Sequence, residues 1–149
     1  MDLVLLWALL FSLLAFTAFS LCNDQGTIDL EINSTVISFS NEKPIENEQI
    51  TINASISNNG DKEAQNVVIQ FLDDFARIGN TTLNVSCNST AITAVNWTAQ
   101  IGPHNITLII DPQDLITETN EINNNATQNI TLGSYSLYVG NIFTSFQRR

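Results

Sequence analysis

Four groups of residues in this 149-residue chain have the types and spacing to do chemistry. The first is an oxygen-rich run, Asp111, Asp114, Glu118, Asn120, Glu121 and Asn123. Carboxylates and amides are the ligands that a hard cation such as Ca2+ takes, about six to eight oxygens at a time. The spacing is not that of an EF-hand loop. The competing expectation is that Ile116 and Ile122 plug the bottom of a domain while the carboxylates and amides hydrogen-bond backbone N–H groups around them. The expectation is therefore no cofactor, with Ca2+ on Asp111, Asp114, Glu118, Asn120 and Glu121 as the alternative.

Cys22 and Cys87 form the second group, and they are the only cysteines. Export would permit a disulfide between them, and closing so long a loop stabilises by about 4 kcal/mol in the chain-entropy model. The favoured expectation is instead that Cys87 is a buried small hydrophobe and Cys22 is unpaired, because nothing fixes a residue that precedes the first strand. His104, the only histidine, is the third group. A His-based triad needs a marked nucleophile, and a zinc site of the H-E-x-x-H kind needs a second His. The chain has no G-x-S-x-G, no H-E-x-x-H and no second His, so His104 reads as structural and the chain as no enzyme.

The fourth group is Asn33, Asn53, Asn80, Asn84, Asn88, Asn96, Asn105, Asn125 and Asn129, each heading an N-x-S/T triplet. With 19 Asn and 27 Ser or Thr in 149 residues, chance placement gives only three to four such triplets. An amphipathic strand that puts polar residues at i and i+2 also makes N-x-T cheaply. The sequons in strands fall on the parity assigned to solvent, where a glycan leaves the sheet intact.

The elements that must position these groups are strands. Past residue 22 the chain consists of short alternating runs separated by turn residues, the pattern of an all-β sandwich. Leu30 and Ile32, then Val36 to Phe39, read as two halves of a first edge strand. From Gln49 to Asn58, Ile50, Ile52, Ala54 and Ile56 face in while Thr51, Asn53, Ser55 and Ser57 face out. Asn58-Asn59-Gly60-Asp61 is a turn. Val67, Ile69 and Phe71 carry the next buried face, and Asp73-Asp74 ends it. Leu83, Val85 and Cys87 share a parity, and Val95 and Trp97 continue the pattern. Ile106, Leu108 and Ile110 line another strand, which must stop at Asp111-Pro112 because Pro112 has no N–H for a ladder. Ile130 and Leu132 close the domain. The count is about seven strands with little helix.

Two segments carry a resemblance. NEQITINASISNNGDKEAQNVVIQFLDD at Asn47 to Asp74 and GPHNITLIIDPQDLITETNEINNN at Gly102 to Asn125 together resemble the CARDB family, the cell-adhesion-related domain of bacteria and archaea. The likeness covers roughly Gly26 to Leu132, and I-x-E-x-N-E-x-N-N is its most specific motif. It implies an immunoglobulin-like β-sandwich on a cell surface, a scaffold and not a chemistry.

The rest of the chain bounds the function. Leu3 to Leu21 is almost unbroken apolar sequence, so residues 1–22 read as a signal peptide or as an N-terminal hydrophobic helix that anchors the chain in a membrane. Both place the remainder outside the cytoplasm. Residues 133–149 read as a C-terminal tail or extra strand, with Tyr135, Leu137 and Val139 alternating. The net charge of -10 repels nucleic acid and anionic lipid, so partners are expected among surface proteins or glycans. The leading expectation is a non-enzymatic extracellular module acting in adhesion or as an envelope spacer. The alternatives are a filament subunit, self-assembling through its apolar N-terminus or terminal strand, and a calcium-dependent carbohydrate-binding module.

Overall fold

The computed structural model describes residues 22–133, and the leader and tail expectations lie outside them. Among the described residues there is no α-helix, and none is long and apolar enough to cross a membrane. The strands are β1 (Leu30–Glu31), β2 (Ile37–Phe39), β3 (Gln49–Asn58), β4 (Ala64–Asp73), β5 (Ala76–Val85), β6 (Ser89–Thr98), β7 (Gly102–Ile110) and β8 (Asn125–Leu132). They form two antiparallel sheets, an immunoglobulin-like sandwich.

One sheet is built on β3. Its first edge takes β1 (Leu30 opposite Asn58) and then β2 (Ile37 opposite Ala54), and its second edge takes the whole of β6. A single 3-10 turn, Ser34–Val36, separates β1 from β2, so the first edge strand does come in two halves. With that edge counted once, the sandwich has the seven strand positions expected. The other sheet runs β5-β4-β7-β8.

The two sheets meet along the apolar parity of their central strands. Ile50, Ile52, Ala54 and Ile56 of β3 face Val67, Ile69 and Phe71 of β4 and Ile106, Leu108 and Ile110 of β7, all buried in one cluster with Leu30, Val85 and Trp97. Burying such side chains stabilises by about 1.5–3 kcal/mol each. β7 ends at Ile110, where Asp111 adopts a positive φ ahead of Pro112. β5 begins earlier than its apolar residues suggest. It pairs with β4 from Ala76, and the Gly79 and Asn80 portion sits on an edge with little to bury, which is why its alternation is weak.

Two devices close one end of the slab. Asn58 is buried, and every hydrogen-bonding atom of its side chain is used. Its oxygen accepts from the Asp29 and Gly60 N–H groups (3.3 and 3.0 Å), and its nitrogen donates to the Lys62 and Val85 carbonyls (2.7 and 3.1 Å). The turn that follows presses its backbone onto the N-terminal segment: a Cβ at Gly60 would collide with the Thr27 carbonyl oxygen. Asp61 then accepts from the Thr27 N–H (2.7 Å), a bond that holds its carboxyl below the usual range. Replacing Asn58 by Leu, which keeps the bulk, removes one partner from each of four backbone groups, so urea unfolding should report a loss of at least about 2 kcal/mol.

Candidate functional site

The strands define two ends. At one lie residues 22–29, the turn after β3, the β5–β6 loop and the loop of residues 111–124. At the other lie the β2–β3 loop, the β4–β5 turn and the β6–β7 loop. The expected chemical groups divide between them.

At the first end Cys22 is bonded to Cys87, with Cα atoms 5.5 Å apart. This corrects the favoured expectation of an unpaired Cys22. Position is fixed there after all, because Asn23 donates its N–H to the Asp61 carbonyl (2.7 Å) and Asn88 donates to the Gly60 carbonyl (3.0 Å), which brings both cysteines to one turn. Losing the bridge by Cys87→Ser should cost about 2–5 kcal/mol, and native chain should migrate differently on reducing and non-reducing gels.

The acidic loop shares that end, and most of its carboxylates accept hydrogen bonds from the protein itself, while the buried side-chain oxygens of Asn123 and Asn124 have no protein partner. Asp111 accepts from the Ile116 N–H (2.6 Å), Glu121 from the Glu118 N–H (2.9 Å), and Asn120 from the Ile122 N–H (3.3 Å). Glu118 accepts from the Leu30 N–H (2.6 Å) and from the Asn124 amide (3.0 Å), tying the loop to β1. Asp114 holds a positive φ and lies exposed. Ile116 packs against the core, but Ile122 is 90% exposed and plugs nothing. The loop closes the sandwich by hydrogen bonds, with one apolar residue instead of two.

Burial pushes the Glu118 carboxyl up from 4.5 to about 7. Its bonds from Leu30 and Asn124 pull the other way, and the nearby Glu121 and Asp111 charges add to the rise. The folded chain therefore binds more protons than the unfolded one between about pH 4.5 and pH 7, and the Glu118 contribution to stability falls as pH rises through that window. Because Glu118 is only half-buried, solvent screening limits the effect to about 1 kcal/mol. Denaturation midpoints measured at pH 5 and pH 7.5 should differ less in Glu118→Gln than in the parent chain.

The opposite end holds a cluster that the sequence reading passed over. Asp73 continues the inward parity of Ile69 and Phe71, and His104 that of Ile106, so both point into the mouth of the sandwich. The His104 side chain is 10% exposed and that of Asp73 16%. Nδ1 of His104 lies 2.9 and 3.0 Å from the two Asp73 oxygens, and Nε2 lies 3.0 Å from the Gln100 carbonyl. Trp97, across from the other sheet, donates its indole N–H to Asp73 (3.2 Å) and sets its ring edge-on to the imidazole at 5.1 Å. Asp74, exposed in the two-residue β4–β5 turn, accepts from the Asn105 amide (2.7 Å). Among the described residues this is the group of His, Cys and acidic side chains whose ligand atoms converge, all within 4.8 Å of one another. The signal was present as parity: a carboxylate and an imidazole each occupying an inward position of a strand. His104 stands near the start of β7, and its ring ties that strand to Asp73 and to the Gln100 carbonyl.

The same end exposes large apolar side chains. Phe75 at the turn tip is 99% exposed, Ile45 57% and Ile101 48%. Of the nine sequon residues, Asn33, Asn80, Asn84, Asn88, Asn96, Asn105, Asn125 and Asn129 are exposed and Asn53 is half-buried. Four of them have other work: Asn84 accepts from the Asn66 N–H, Asn33 from the Thr35 N–H, Asn96 from the Thr51 hydroxyl, and Asn105 holds Asp74.

Comparison with known proteins agrees with this architecture. The CARDB family model matches residues 27–128, and the chain belongs to that family. It is thus a module of a cell-surface, adhesion-related class with a disulfide-bonded sandwich, and an oxidising compartment outside the cytoplasm suits it. Among solved structures, the CARDB domain of the PF1109 protein from Pyrococcus furiosus, in complex with di-metal ions, is 20% identical, with a TM-score of 0.64 over 71% of this chain and 94% of that one. A domain of a putative cell surface protein from Methanosarcina acetivorans is 20% identical, with a TM-score of 0.60 over 76% and 99%. A protein from Geobacter metallireducens is 23% identical, with a TM-score of 0.56 over 70% and 98%. At these identities the likeness shows the fold. A comparison with curated proteins found no match.

Proposed function

We propose that the chain is a non-enzymatic surface module that makes adhesive contacts with proteins or glycans through the end of the sandwich carrying Ile45, Phe75 and Ile101. The observation that carries this reading is Phe75, a full aromatic side chain left 99% exposed at the tip of a two-residue turn. Isolated exposed apolar residues are ordinary on protein surfaces, but three at one end of the sandwich offer apolar surface of the kind that partners cover. The chain enters the sandwich at the Cys22 end and leaves β8 at the opposite end, beside Gly102. Strands of ten residues separate those ends by about 30 Å, so the module also holds apart whatever is attached at its two ends.

The sequons support a surface glycoprotein. Exposed Asn residues cover the outer faces of both sheets, with Asn96 on β6 and Asn80, Asn105 and Asn129 on the other sheet. Glycans there would shield the faces and leave the ends to make contacts.

The test substitutes the tip. Phe75→Ser removes no packing, so its stability should stay within about 0.5 kcal/mol of the parent. Beads coated with the parent chain should be retained on the envelope of the cells that produce it, and beads carrying Phe75→Ser should be retained several-fold less. Equal retention of the two would leave the tip without a role in adhesion.

A further inference from the structure

We propose that Asp73, Asp74 and His104 form a binding site for one divalent cation of the first transition row, with zinc as its representative. The three side chains come from the end of β4, the β4–β5 turn and β7, and their ligand atoms lie within 4.8 Å of one another. Ligands bound to one such metal at about 2.0–2.2 Å stand about 3–4 Å apart, so small rotations of these side chains bring them to one centre.

The contacts of the imidazole ask for a positive charge between Nδ1 and Asp73, which a proton supplies in an ion pair and a metal would supply in its place. Both of its ring nitrogens face oxygen acceptors, Nδ1 the Asp73 carboxylate and Nε2 the Gln100 carbonyl. A neutral imidazole has one N–H, so one of these contacts sets a lone pair against an oxygen unless a proton or a metal lies between them. A ligating histidine ordinarily donates its other N–H to a carbonyl or carboxylate, which fixes the tautomer and aims the free nitrogen at the metal. Gln100 is placed to accept that bond from Nε2, and the nitrogen then left free is the one aimed at Asp73.

The remaining partners are those of a supported site. Trp97 steadies the Asp73 carboxylate from one side and Asn105 steadies Asp74 from the other. Asp73 and His104 are held in the mouth of the sandwich, while Asp74 is exposed and leaves an approach for the ion and for water on its open positions. One imidazole nitrogen with two carboxylates suits zinc, manganese or iron better than calcium, whose sites are built from oxygen alone. This places the proposed cation at the Phe75 end, away from the acidic loop of residues 111–124.

The experiment uses the full chain, stripped with a chelator and titrated separately with zinc, manganese and calcium chlorides. Calorimetry, thermal unfolding and the ring-nitrogen NMR signals of His104 are read in parallel. Zinc is expected to bind saturably with one ion per chain, to raise the unfolding temperature and to move the Nδ1 signal while Nε2 stays protonated. Calcium is expected to do none of these. Because His104 is buried and His104→Gln risks the fold, the deciding variant is the exposed Asp74→Asn. It should unfold at the apo parent's temperature and bind zinc at least about tenfold more weakly, an effect at the lower end of what supporting residues alone produce. Absence of saturable zinc binding to the parent, zinc binding unchanged in Asp74→Asn, or an unmoved Nδ1 signal would each overturn the site. A calcium response as large as the zinc response would overturn the assigned class of metal.

Discussion

Alternate residues of β3, β4 and β7 must leave water together, and the rest of the structure depends on that constraint. Each strand carries its apolar set on one parity, Ile50 to Ile56, Val67 to Phe71 and Ile106 to Ile110, so no single sheet can hide its own face. Stacking the sheets removes all three faces at once. A one-residue slip of any of these strands would turn its apolar set outward, so pairing register and burial enforce each other.

A slab closed on two faces still has open ends, and there the backbone leaves the ladders. Buried N–H and C=O groups need partners at those points, and the two ends solve the problem with polar side chains of different kinds. At the Cys22 end, Asn58 joins the segment before β1, the β3–β4 turn and β5 through four bonds, and Glu118 reaches across from the acidic loop to the Leu30 N–H. At the Phe75 end, Trp97 from one sheet meets Asp73 and His104 from the other. Both ends place a partly buried carboxylate in that network. At Glu118 the desolvation outweighs two hydrogen bonds.

Several elements were legible before the structure. β3 spans the ten residues whose alternation marked it, β7 stops where Pro112 withdraws its N–H, and the first edge strand comes in two halves. Each of these rests on local chemistry: a period of two, a missing donor, a turn. β5 was legible only in its Leu83 to Val85 half, because an edge strand with a solvated face has no alternation to keep. Ile122 was misplaced for a related reason. An apolar residue in a loop has no periodicity to say which way it turns, and here it faces water.

The sequence by itself determined the sandwich, its family and the parity of nearly every buried strand residue, since these follow from hydrophobic period and turn chemistry along the chain. Only the tertiary structure decided which distant polar residues meet. Cys22 and Cys87 are 65 positions apart, and Asp73 and His104 are 31. Their pairing follows from strand order and from the hydrogen bonds of the loops between them. That information lies in how the sheets stack, and no local pattern of residues carries it.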